Sequence, residues 1–190
     1  MTHVFRYYLS LLLFALPVVG AWADEFDDTV DIFEEAGASA NYFGKSYGYA
    51  VFPTIGKGGI AIGGAYGKGR VYARGNYVGN TSMTQVTIGL QLGGQAYSQI
   101  IFFQDKRAFD EFTGGNFEFS AGASAVAITA GASAQATTTG SSAGASGGKH
   151  DATTTSPGFY KGMAVFTVAK GGLMYEASIG GQKFTYTPRK

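Results

Sequence analysis

Between Phe52 and Gly75 the chain reads FPTIGKGGIAIGGAYGKGRVYARG, and no other stretch limits its folding more. Glycines crowd it, and Lys57 and Lys68 each directly follow one. Such a backbone either cradles a phosphate or has to bend. The spacing excludes the phosphate. A P-loop needs G-x-x-x-x-G-K followed by Ser or Thr, whose hydroxyl reaches the metal. Here Gly67-Lys68 is followed by Gly69, Gly56-Lys57 is followed by Gly58, and Ile62 stands where the first loop glycine belongs. A dinucleotide fingerprint needs a helix after the glycines and a ribose-binding acid. The residues after these glycines are RVYARG, another strand, and no acid appears until Asp105. Glycine therefore serves as a hinge, and the lysines are expected on turns of a β-rich domain.

The rest of the chain agrees on period two. In QVTIGLQLGG, Val86, Ile88, Leu90 and Leu92 fall on one side and Thr87, Gly89, Gln91 and Gly93 on the other, as in a half-buried strand. SQIIFF, from Ser98 to Phe103, is apolar on both faces and predicts a central, covered strand. MAVFTVAKGGLMYEASIGG predicts two strands around a turn at Lys170-Gly171-Gly172. Three segments share a strand, a glycine pair and then an aromatic: Gly59 to Tyr66, Gly89 to Tyr97 and Gly172 to Phe184. Glycines at such points permit bulges and bends in a curved sheet. Two helices complete the pattern. Asp24 to Phe43 presents Phe26, Val30, Phe33, Gly37 and Ala40 on one face, with Asp24 placed to cap it and Gly44 to end it. DKRAFDEF, Asp105 to Phe112, predicts a short one. The fold class is α+β and predominantly β: curved antiparallel sheet with an N-terminal amphipathic helix and one short internal helix.

Residues 1–23 read as a secretory signal peptide: Arg6, an apolar run from Leu9 to Val19, then Ala21-Trp22-Ala23. The run is shorter than the ~20 apolar residues of a membrane span. Residues 24–190 are expected as a single exported domain, periplasmic or secreted and peripherally membrane-associated. The chain has no cysteine, so thiolate chemistry and disulfides are excluded. His3 leaves with the signal and His150 has no second histidine near it, which argues against a His-built metal or nucleophile site. Of 14 basic residues Arg6 is lost, leaving 13 against 13 acidic ones. That balance is unlike the dense basic stripe of a nucleic-acid reader. The acids crowd residues 24–35, whereas residues 44–104 hold Lys45, Lys57, Lys68, Arg70 and Arg74 and no acid. Ser133 to Pro157 is a low-complexity Ser/Thr/Ala/Gly loop interrupting the domain.

YGYAVFPTIGKGGIAIGGAYGKGRVY resembles the signature of the SYLF domain family, the Ysc84-type lipid- and actin-binding domain. TIGLQLGGQAYSQIIFF, FDEFTGGNFEFSAGASAVA and GFYKGMAVFTVAKGGLMYEASIGG match its later elements in order. The resemblance covers nearly all of residues 26–187 except the Ser/Thr loop, and the form is that of the bacterial exported branch. It implies a non-enzymatic domain without cofactor that binds lipids, phosphoinositides in eukaryotic members, with actin filaments bound by some fungal ones. In one respect the chain departs. Eukaryotic members use a membrane-active amphipathic helix at the domain's start, and the matching helix here is strongly acidic.

On this basis Lys57, Lys68, Arg70, Arg74, Lys161 and Lys170 are the candidate lipid-binding residues, expected on neighbouring turns where they can hold an anionic headgroup. Tyr66, Tyr72 and Tyr77 can add interfacial contacts. The alternative is an envelope structural or protein-interaction module, whose partner is another envelope protein. Catalysis finds little support, because the paired carboxylates sit in the acidic helix, and Asp105, Asp110 and Glu111 have Lys106 and Arg107 beside them for ion pairing.

Overall fold

The computed structural model describes residues 24–119 and 158–190, with backbone alone over 89–91 and 171–180. The signal segment and the 133–157 loop lie outside these. In chain order the elements are α1 (Glu25–Glu35), α2 (Gly37–Phe43), β1 (Gly48–Ala73), β2 (Asn76–Phe103), α3 (Lys106–Thr113), β3 (Asn116–Phe119) and β4 (Met163–Pro188). The strands form an antiparallel sheet in the order β1-β2-β4-β3. The α+β, mainly β class read from the sequence is the observed one.

The glycine hinge acts inside a strand. β1 runs for 26 residues without a break, yet its two arms lie over each other. A methyl group on Gly67 would sit 2.5 Å from Ile55 Cγ1, and one on Gly69 would sit 2.7 Å from the Phe52 ring. Only glycine admits so close an approach. The arms are tied at their open end, where the Arg74 N–H donates to the Tyr47 carbonyl at 3.0 Å and Tyr49 stacks on Tyr72 at 5.0 Å. The corner lies at Ala61, with φ of 60°. There the β1–β2 register jumps from Ile60↔Leu92 to Ile62↔Ile88, so three residues of β2 stand against one of β1. Gly93, with φ of 123°, adjoins this crease. The bulge bends both strands together.

Folding the sheet creates two cores. Inside the fold lie Ala50, Phe52, Ile55, Ala65, Met83, Tyr97, Ile101, Phe103 and Phe184, closed by Phe112 of α3. Outside the first arm, Phe33 of α1 packs on Val51, Ile100, Phe102 and Phe166, with Tyr42 and Phe43 of α2 beside them. SQIIFF is covered on both faces as expected: Ile100, Ile101, Phe102 and Phe103 are all fully buried.

Two expectations are corrected. The predicted helix from Asp24 to Phe43 is two helices, broken at extended Ala36. The Ser39 hydroxyl donates to the Phe33 carbonyl at 2.6 Å, satisfying a group that the break frees. Gly37, assigned to the buried face, is exposed, while Thr29, Ala36 and Ser39 are buried with Phe33. The caps at Asp24 and Gly44 hold. The predicted turn at Lys170-Gly171-Gly172 is absent, because β4 is one strand of 26 residues that runs beside β2 around the bend. Glycine permits a bend as readily as a turn, and pairing with β2 selects the bend. The short helix appears as α3, capped by Asp105 and carrying the expected Lys106–Asp110 and Arg107–Glu111 pairs.

Candidate functional site

The acidic start of α1 lies against the sheet and takes two of the six candidate cations. The Asp24 carboxylate caps the helix by accepting from the Phe26 N–H at 3.2 Å, and the same side chain pairs with the Arg70 guanidinium. Arg70 also lies 4.1 Å from the Phe26 ring centroid and 5.1 Å from that of Tyr77. The Arg70 bond, aided by the Phe26 N–H, holds the Asp24 pKa below the ordinary carboxylate value although burial opposes it. Burial works against the Arg70 charge, yet hydrogen bonds with Asp24 and Tyr72 outweigh it and keep its pKa raised. Lys170 donates to the Thr54 hydroxyl at 2.9 Å and lies 3.5 Å from the Glu25 carboxylate.

The other four separate. Lys57 is only 6% exposed, within β1 and in register with Gln95. Lys68 is exposed on the second arm of β1, in register with Ser82. Arg74 and Lys161 are exposed at the open end of the fold, both on left-handed backbone, and each lies over a tyrosine, Tyr47 at 5.2 Å and Tyr160 at 5.6 Å. Backbone hydrogen bonds from Arg74 to Tyr47, Tyr47 to Phe103 and Gln104 to Gly162 bring these two to one end. The expectation of six cations on neighbouring turns is therefore corrected. Lys57, Lys68, Arg70 and Lys170 lie within strands, because β1 and β4 bend at their glycines rather than stop there. Lys68, Arg74 and Lys161 make no ion pair among the described residues.

The two faces read from QVTIGLQLGG are present, and the polar one is the inner. Gln85 and Thr87 point into the fold, at 1% and 0% exposure, while Val86, Ile88 and Leu92 face outward at 59%, 68% and 58%. Ile60 and Ile62 of β1 join them at 75% and 66%, directly opposite Leu92 and Ile88. The inner face is polar here: the Gln182 amide donates to the Gln85 carbonyl oxygen at 3.2 Å. Alternation separates two faces but does not say which is inside, and the direction of the bend settles that. Tyr66 stands on the exposed outer face, and Tyr72 is buried, packed on Tyr49 and near Tyr77.

Among the described residues no helix is long and apolar enough to cross a membrane, and no cluster of three metal-ligating side chains occurs. Residues 84–187 match the family model described as "Ysc84: Las17-binding protein actin regulator". The chain is 29% identical over 166 residues to Beta cell expansion factor A of Aeromonas veronii, an alignment covering 82% of this chain and 51% of that protein. It thus spans about half the length of that relative. No solved structure matches. The family model covers more than half of the chain, from within β2 to the end of β4 and not β1, and the chain belongs to the SYLF (Ysc84) domain family.

Proposed function

We propose that this chain is an exported, non-enzymatic domain that binds lipid at anionic membrane surfaces. The observation that carries the reading is the set of exposed cations left outside the α1 contacts: Lys68, Arg74 and Lys161. Two of them lie in the stretch from 44 to 104 that has no acidic residue, so nothing on β1 or β2 neutralises them. Family membership supports a binding role, and the leader pattern of residues 1–23 supports export. Export would keep the chain from actin, so lipid is the reading preferred over the actin partner of the family's description. Arg70 and Lys170 contribute less, since Asp24 and Glu25 already engage them.

Vesicle co-sedimentation of the chain from Asp24 tests this, since that chain holds every described element. Binding should require anionic lipid and weaken from low to high salt, as screening of exposed charge demands. Reversal of Lys68, Arg74 and Lys161 to Glu should remove the salt-sensitive part. Failure to bind any vesicle would reject the lipid reading in favour of an envelope protein-interaction module.

A further inference from the structure

We propose that the crease of the folded sheet is a lipid-inserting edge, whose outward apolar row enters the acyl layer while Tyr66 and Lys68 remain among the headgroups. The inference rests on the lipid reading above and adds the part of the molecule that touches hydrocarbon. Ile60, Ile62, Tyr66, Val86, Ile88 and Leu92 are each more than half exposed. Tyr160, at 50%, is the one other large hydrophobic so exposed among the described residues. The six are contiguous. Ile60 pairs with Leu92, Ile62 with Ile88, and Val86 comes next, beside Gly64. β4 brings Ile179, Ala177 and Tyr175 into register with Ile88, Leu90 and Leu92. Scattered exposed apolar residues need no explanation, but a paired row across neighbouring strands marks a surface with a partner.

The order of side chains along β1 indicates a bilayer. The tip is aliphatic at Ile60 and Ile62, Tyr66 lies four residues further along, and Lys68 two beyond that. At ~3.3 Å per residue these steps span about 13 Å and about 7 Å. Hydrocarbon, then an aromatic boundary, then cationic contact with headgroups is the depth order of a membrane surface. The charge also suits anionic lipid. β1 and β2 contain no acidic residue, and β4 contains only Glu176.

An Ile62→Trp variant of the chain from Asp24 provides the test. The chain's single tryptophan is Trp22, so the new indole would report alone. Ile62 is 66% exposed, which leaves room for the larger ring. With vesicles of anionic phospholipid brominated along the acyl chains, its emission should shift to the blue and be quenched. Vesicle binding without quenching would overturn insertion and leave headgroup binding standing. No binding of the unsubstituted chain would overturn both. An Ile62→Ser/Ile88→Ser pair gives an independent readout. Binding that survives high salt should weaken roughly a hundredfold, from about tenfold per isoleucine side chain removed from hydrocarbon. If the pair instead converted a dimer to a monomer in sedimentation velocity with vesicle binding unchanged, the crease would be a contact between copies and the proposal would fail.

Discussion

Gln99 shows what the interior of this fold tolerates. It is fully buried on the inner face, between Phe52 and Thr167 in register, and neither atom of its amide has a hydrogen-bond partner. A buried amide without partners is costly, whereas an apolar side chain of similar volume there is not. Gln99→Leu should therefore stabilise the protein by about 1–3 kcal/mol, read as a raised urea midpoint. A lowered midpoint would show that this amide has a partner in solution. Asp24 behaves differently. Its pKa is depressed in the folded state, so its contribution is complete above the unfolded carboxylate value, ~3.9, and is lost as pH falls through the lower folded value. The Arg70 pair is partly exposed, so Asp24→Asn, which can still cap α1, should cost only about 0.5–1 kcal/mol at neutral pH. That gap should close below about pH 4 when the two proteins are compared by urea unfolding. Tyr49 lies at the other end of the scale. Burial, with Tyr72 and then Glu34 and Asp27 adding to it, raises its pKa to about 12. Absorbance titration should find one phenol that ionises well above the usual range.

The elements depend on glycine in two distinct ways. At Gly69 the requirement is space, because the Phe52 ring and the Val51 carbonyl lie under 3 Å from where a methyl would stand. Gly69→Ala should push the β1 arms apart and cost about 1–3 kcal/mol. Gly37 has no such neighbour and its φ is not positive, so Gly37→Ala at the first position of α2 should stabilise by about 0.4–1 kcal/mol. Thermal unfolding of the two variants should shift in opposite directions. If both were destabilised, the open surroundings of Gly37 would be wrong.

Across the molecule, protection is uneven. The first arms of β1 and β4 and the end of β2 are covered on both faces, by the inner core and by α1 and α2. At the crease, by contrast, Ile60, Ala61 and Ile62 and the facing Leu92, Gly93 and Gly94 are all exposed. Amide hydrogen exchange should be slowest at Ile100 to Phe103 and faster at Ile60 to Ile62, and lipid should slow the crease selectively. With the crease in a bilayer, Lys68 would be the exposed cation nearest the headgroups, and Arg74 and Lys161 would lie at the far, open end, so the salt-sensitive contact of an inserted molecule would fall chiefly on Lys68.

Much of this protein was legible along the chain, because those features are local. Period two made strands of β1, β2 and β4; Asp24, Gly44 and Asp105 marked helix ends; the apolar run at Ser98 to Phe103 announced a strand covered twice. The six cations could be picked out one by one along the chain, but their grouping could not. Their neighbours depend on how far a strand bends, and glycine permits bending without setting its angle. Contacts between residues distant in sequence settled the rest. The approach of Gly67 to Ile55 and of Gly69 to Phe52 folded β1 over itself, and α1 drew Arg70 and Lys170 into ion pairs. The same bend set the inside of the sheet, turning Gln85 and Thr87 inward and Val86, Ile88 and Leu92 out. An alternating pattern is symmetric between its two faces, and closing the fold is what breaks that symmetry.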